Sequence, residues 1–131
     1  MAFTPDTHEL AWAAGLFDGE GCVRFRRGGT TKTGKPRYRQ AALDLAQVDR
    51  AVLDRFQSAV GCGRIYGPYK SRNAKHRPHY VFAGVSHANI QAIVAMLWKW
   101  LSPVKRAQAT KALMAWRNDP RPGRWPTKEA A

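Results

Sequence analysis

Apolar residues recur along the first segment in a helical rhythm. Leu10, Ala13, Ala14 and Phe17 fall at i, i+3, i+4 and i+7, which makes one face of a helix. Pro5 at the helix start, Asp6 as cap and Glu9 three residues on predict a capping box at its N-terminus. Ala11, Gly15 and Gly19 recur every four residues and form a second face with almost no side chain. A glycine inside a helix costs about 1 kcal/mol against alanine, so so smooth a face predicts something packed closely on it. The helix is predicted to end in a turn, Gly19-Glu20-Gly21, that presents Glu20 on backbone open to close approach.

Residues 22–27 alternate with period two and predict a strand, Val23 and Phe25 to one side, Arg24 and Arg26 to the other. A polar Gly- and Thr-rich stretch, 28–36, reads as a hairpin loop. The second strand is predicted over 37–47, with Leu43 and Leu45 inward and Tyr38, Gln40, Ala42 and Asp44 outward. Asp49 caps a helix that buries Val52, Leu53, Phe56, Ala59 and Val60, and Gly61 stops it. Strands over 63–69 and 79–85 flank a basic loop at 70–78; Ile65 points inward, Arg64 and Tyr66 outward, and Tyr80 and Phe82 alternate with His79, Val81 and Ala83. Ser86 opens a long helix with an apolar stripe of Ile90, Ile93, Val94, Leu97 and Leu101. Ser102-Pro103 breaks it and starts a last helix holding Lys105, Leu113 and Trp116. The order is αββαββα plus a C-terminal helix: an α+β domain over residues 1–117 with an antiparallel sheet. Three prolines, a glycine and charges in 118–131 predict a flexible basic tail, in which Trp125 has no assigned role.

At 131 residues the chain is long enough for a real core. Its 22 Lys+Arg against 9 Asp+Glu give +13, which attracts polyanions. An anionic membrane surface or plain solubility are the alternatives. The basic residues lie on strands and loops rather than along one amphipathic helix, which weighs against a membrane, and no apolar run approaches the roughly 20 residues needed to span one. Cys22 and Cys62 are the only cysteines, and no secretory leader precedes Phe3-Thr4-Pro5. A reducing, cytoplasmic setting without a disulfide framework is therefore expected. His76 and His79 sit three apart with no flanking cysteine pair, so zinc finds no support.

The stretch from Ala13 to Gly21 resembles the signature of the LAGLIDADG homing endonucleases. Gly15, Leu16, Asp18 and Gly21 are identical to the motif, and Glu20 stands where the family has its second acid, an exchange that keeps the carboxylate. Gln47-Val48-Asp49-Arg50-Ala51-Val52-Leu53 is similar to the family's strand-to-helix junction, where a polar residue, often Gln, closes the strand. Gly61-Cys62-Gly63-Arg64-Ile65-Tyr66 is similar to its Gly-x-Gly entry into the third strand, and Lys105 lies where the family commonly places an active-site lysine. The matches span most of residues 8 to 117, with one copy of the signature. The resemblance therefore implies the single-motif, homodimeric type: a site-specific endonuclease that cuts duplex DNA at a near-palindromic site and serves intron or intein mobility.

Phosphodiester hydrolysis needs a nucleophilic water and relief of charge on the phosphate, and a divalent cation supplies both. Mg²⁺, with Mn²⁺ and Ca²⁺ as cations of similar taste, prefers carboxylate, carbonyl and water oxygens. The resemblance implies Glu20 and a carbonyl near Gly19 as ligands, Gln47 to orient water, and Lys105 to offset phosphate charge. Two chains meeting through Ala11, Gly15 and Gly19, with Asp18 accepting backbone hydrogen bonds at the contact, would bring two Glu20 groups together. Recognition is expected from the sheet, since a twisted antiparallel ribbon fits the major groove. Arg24 and Arg26 suit guanine, Gln40 adenine and Asp44 the cytosine amino group; Tyr38, Arg64, Tyr66 and His79 join that face. Arg37, Arg39, Lys70, Arg72, Lys75 and Arg77 are expected to hold phosphates. A non-cleaving DNA- or RNA-binding protein of the same fold, a splicing maturase or a regulator, is the second reading; Glu20 favours the enzyme, because a pure binder needs no acid facing phosphate. An unrelated basic RNA-associated domain is a third, and it leaves Gly15, Gly19 and Glu20 unexplained.

Overall fold

Helix α1 spans Thr7–Glu20 in a computed structural model that describes residues 2–26, 32–35 and 39–119. Asp6 caps it, accepting from the Glu9 N–H at 3.0 Å, while Pro5 lies one residue outside the cap rather than in the first turn. The Glu9 carboxylate does not complete the expected box. It accepts from Arg55 Nε at 2.9 Å and Nη2 at 2.8 Å, tying α1 to α2 (Arg50–Val60). The Arg55 guanidinium also lies over the Trp12 ring, 3.9 Å from its centroid.

The expected turn at the end of α1 does not form: Gly19 and Glu20 are helical, and the chain passes directly into β1, Gly21–Arg26. Gly21 is extended, with φ −89°, so its small size answers to packing; a Cβ there would stand 2.2 Å from the buried Phe17 ring.

Four strands form one antiparallel sheet in the order β1-β2-β4-β3, with β2 at Gln40–Gln47, β3 at Arg64–Tyr69 and β4 at His79–Ala83. Val23 pairs with Leu43, Gly21 with Leu45, and Leu45 with Phe82, and this parity faces the core. Phe17 stacks on Phe56 (6.2 Å between centroids), and Phe56 meets Phe82 edge-on at 4.9 Å, so aromatic rings run from α1 through α2 to the sheet. Asp49 caps α2 by accepting from Ala51 N–H, and Gly61 ends it in the left-handed region, φ 75°, where a β-carbon is unfavourable. Ala42 keeps the outward parity expected of it yet is 8 % exposed, since its small side chain lies opposite the longer Arg24.

Strand β4 stops two residues earlier than its alternation predicts, because Val85 takes a positive φ of 73° that no strand continues through. Helix α3, His87–Leu97, is shorter than expected and tightens into a 3-10 turn at Trp98–Trp100, with Leu101 still buried. His87 stacks on Trp116 at 5.0 Å with its Nε2 buried and without a hydrogen-bond partner; burial lowers its pKa. Helix α4, Pro103–Arg117, is capped by Ser102 and buries Ala109 and Ala112, whereas Leu113 and Trp116 are half-buried. Asn118 and Asp119 do not begin a loose tail. The Asp119 side chain is 1 % exposed and accepts from Arg39 Nε at 3.1 Å. The rest of the tail, 120–131 with Trp125, lies outside the described residues, as do residues 36–38 with the Arg37 and Tyr38 assignments.

Candidate active site and nucleic-acid interface

The end of α1, the end of β2 and the approach to β4 meet in an open cleft of about 490 Å³, lined by Glu20, Ala46, Gln47, Val48, Asp49, Arg77 and His79. Glu20 and Gln47, two of the three residues expected to be catalytic, thus share one cleft although they lie 27 positions apart in sequence. Glu20 follows Ala13 and Phe17 at i+7 and i+3, on the same side of the helix, and is exposed because it is the last residue of α1, one turn past the packed Phe17. Gln47 has the core-facing parity of Leu43 and Leu45, but it sits at the strand end beyond the packed helices. A second hollow, of about 430 Å³, shares Val48, Arg77 and His79 and adds Ser71, Lys75 and His76, so the cleft continues into a cationic loop. That loop is tied by its own side chains: Asn73 Oδ1 accepts from Lys75 N–H at 3.0 Å, and Ser71 Oγ lies 3.4 Å from His76 Nδ1.

Lys105 reaches the same end of α1 from the first turn of α4. Its Nζ donates to the Gly21 carbonyl at 2.6 Å and to Gln108 Oε1 at 3.4 Å, and it lies 5.6 Å from the Phe17 ring centroid. Gln108 Oε1 also accepts from the Val23 N–H at 2.9 Å, so it joins the lysine to the free side of β1. Sequence reading missed Gln108, although its spacing of three from Lys105 places both on one helical face. Asp18 Oδ1 accepts from the Ser102 N–H at 2.9 Å, where α4 begins. That backbone hydrogen bond lowers the Asp18 pKa, with a smaller pull from Lys105. Asp18 therefore has a partner within its own chain, at the junction that brings Lys105 beside β1.

The outward face of the sheet carries Cys22, Arg24 and Arg26 on β1, Gln40, Ala42, Asp44 and Ala46 on β2, His79, Val81 and Ala83 on β4, and Arg64 and Tyr66 on β3. Arg26, Arg64, Tyr66, Lys70, Arg72, Lys75 and Arg77 are exposed, as a surface for a polyanion requires. Two assigned arginines are engaged within the chain. Arg39 pairs with Asp119 and lies over the Phe25 ring at 5.8 Å. Arg24 Nη1 is ion-paired with Asp44 Oδ2, so two residues assigned to different bases meet each other. Tyr69 and His79 meet at 5.8 Å beside the irregular end of β3.

On the other side of α1, Gly15 and Gly19 are exposed, and a Cβ built on either meets nothing within 4 Å. The smooth face predicted from the four-residue spacing is thus uncovered by the described residues of this chain. Among those residues, no group of three or more His, Cys, Asp or Glu is placed to hold a metal ion, and no helix is long and apolar enough to cross a membrane.

No protein-family model and no curated protein matches the sequence. Solved structures do. The homing endonuclease I-CvuI, in complex with the I-CreI target in 2 mM Mg with the DNA not cleaved, superposes at a TM-score of 0.65 with 24 % identity, over 88 % of this chain and 71 % of that one. The same protein with its own target in 2 mM Ca gives 0.64 and 23 %, over 85 % and 67 %. The homing endonuclease I-TnaI matches at 0.63 and 22 %, over 92 % and 79 %. The LAGLIDADG homing endonuclease I-GzeII, in complex with its DNA target, matches at 0.62 and 16 %, over 97 % of this chain and 40 % of that one. With its sheet order, its glycine-faced first helix and its acid at the helix end, the chain has the fold of the LAGLIDADG homing endonucleases.

Proposed function

We propose that the chain is a site-specific endonuclease that cuts duplex DNA as a homodimer at a near-palindromic site, with a divalent cation. The observation that carries this reading is the meeting of Glu20 and Gln47 in one open cleft at the end of an uncovered glycine face. Two copies packed through Ala11, Gly15 and Gly19 place two Glu20 carboxylates together, and close approach of the helices is what the missing side chains permit. The donor set is all oxygen: the Glu20 carboxylate and the Gly19 carbonyl, one of the last-turn carbonyls without an intrahelical partner. It suits a hard cation such as Mg²⁺, and it is complete only when a second chain adds its own acid. When bound, such a cation lowers the pKa of its water and relieves charge on the phosphate.

The chain's own residues do the rest. Gln47 orients water in the cleft through its amide. Lys105, held beside Gly21 by Gln108, offsets negative charge that builds on the phosphate. Arg77 and His79 at the cleft margin, and Lys75 beyond it, position the backbone. The exposed Arg26, Arg64 and Tyr66 face the groove.

Glu20→Gln keeps size and shape and removes the charge on which hard-cation binding depends. The variant should fold, dimerise and bind its target while cleavage in Mg²⁺ falls by several orders of magnitude. A Glu20→Gln protein that cuts at the parent rate overturns the mechanism. A parent that binds one duplex tightly yet never cuts it in Mg²⁺ or Mn²⁺ is a non-cleaving binder of this fold, and tighter binding to a structured RNA than to any duplex makes it a maturase.

A further inference from the structure

The outward sheet face is ordered in rows by the strand register. Nearest the Glu20 cleft lies Ala46 opposite Val81, which lies opposite Tyr66. The next row is Cys22, Asp44, Ala83 and Arg64; then Arg24 with Ala42; then Arg26 with Gln40. Arg24 is thus one row further out than Asp44, and its side chain leans back along the sheet to form the ion pair. The Arg24 and Asp44 side chains remain 48 % and 26 % exposed, so the pair stays open to the face.

We propose that Arg24 and Asp44 form a single base-reading unit that selects guanine, with Asp44 acting as the positioning residue of Arg24 and not as a reader of cytosine. The inference rests on the DNA-cutting reading above. Arginine carries five N–H donors in a rigid fork, and one Nη1 bond to a carboxylate leaves the others for the O6 and N7 acceptors of guanine. Adenine offers N7 but an amino donor in place of O6, and cytosine offers a donor, so neither accepts the fork. Holding the long side chain in place before DNA arrives lowers the conformational cost of binding. Asp44, with one oxygen taken by Arg24, brings the arginine to the base and does not oppose it. A strand rises about 3.4 Å per residue, close to one base-pair step of about 3.4 Å. Arg24, four residues beyond Glu20, therefore reads a base pair within about four steps of the level of the acid.

The test is selection of bound duplexes from a randomised library in Ca²⁺, with the parent chain, Arg24→Ala, Arg24→Lys and Asp44→Asn. The parent should enrich guanine at one position in each half-site, within about four base pairs of the cut. Arg24→Ala should erase that preference, a loss of roughly 5- to 150-fold in discrimination, and leave the other positions unchanged. Arg24→Lys keeps the charge without the fork and should weaken the same preference, which carries the test if the alanine variant fails to fold. Asp44→Asn should narrow the guanine preference at that position and alter no other. The inference is overturned if Arg24→Ala changes no position, or if Asp44→Asn removes a cytosine preference elsewhere while guanine selection stands. A parent that enriches no duplex overturns the DNA-cutting reading and this inference with it; a parent that enriches a duplex indifferent to Arg24 overturns this inference alone.

Discussion

Asp18 and His87 show how a titratable side chain becomes a statement about stability. The Asp18 carboxylate accepts from Ser102 N–H, and that bond holds its folded pKa below the ordinary carboxylate range. A depressed carboxylate stabilises the fold at pH values above its unfolded pKa and loses that contribution as pH falls through the folded one. Asp18→Asn should therefore lower the melting temperature at pH 7, and the gap to the parent should shrink as melts are taken from pH 5 towards pH 2. A gap that stays constant across that range would remove the electrostatic part of the account. His87 works in the opposite direction. Burial lowers its pKa, so below the ordinary histidine value the unfolded chain takes a proton that the folded chain refuses. His87→Phe keeps a ring against Trp116 and deletes the partnerless Nε2. It should raise the melting temperature, more at pH 5 than at pH 8.

At the scale of the element, two glycines of α1 and its exit give opposite predictions. Gly21 has no room: its added Cβ would enter the Phe17 ring, which is 1 % exposed. Gly21→Ala should cost about 1–3 kcal/mol through overpacking, read by urea denaturation of a single chain at high dilution. Gly15 has open space around it, so Gly15→Leu should leave the chain folded and even favour the helix by roughly 0.5–1 kcal/mol. If a second copy packs there, the same substitution should abolish the dimer in sedimentation and, with it, cleavage. Elements of this kind were legible in the sequence because their signals are local: the apolar spacing of Leu10 to Phe17, the caps Asp6, Asp49 and Ser102, and Gly61 at a left-handed position. The resemblance of the first helix and of the strand-to-helix junction to the LAGLIDADG pattern also singled out Glu20 and Gln47, which line one cleft. The pairings that redefine side-chain roles were not legible. Arg39 with Asp119, Gln108 with Val23 and Ser102 with Asp18 lie 80 to 85 residues apart, and each depends on helix docking and rotamer choice rather than on any local pattern.

For the whole molecule, the +13 charge is a field, and the structure divides it into cations that face outward and cations already answered. Affinity for duplex DNA should fall with salt at a slope of about −0.9 per neutralised phosphate. Arg72 is exposed in the loop, so Arg72→Ala should reduce that slope by about one unit. Arg39→Ala should reduce it far less and should lower the melting temperature instead, because it removes an ion-pair partner of the almost fully buried Asp119 carboxylate. Equal slopes for the two variants would mean that Arg39 leaves Asp119 for DNA. The Gln108 clasp bears on how copies of the molecule are able to combine. β1 is an outer strand, and α4 lies along its free side with Gln108 occupying the Val23 N–H. At the opposite margin, β3 loses regular register between Tyr66 and Tyr69. Neither border is a flat template for another strand, which disfavours fusion of the sheets of two copies into one continuous ribbon. In the homodimer proposed above, joined through α1, each sheet would stay a separate blade, free to tilt against its own half of a bent or straight double helix.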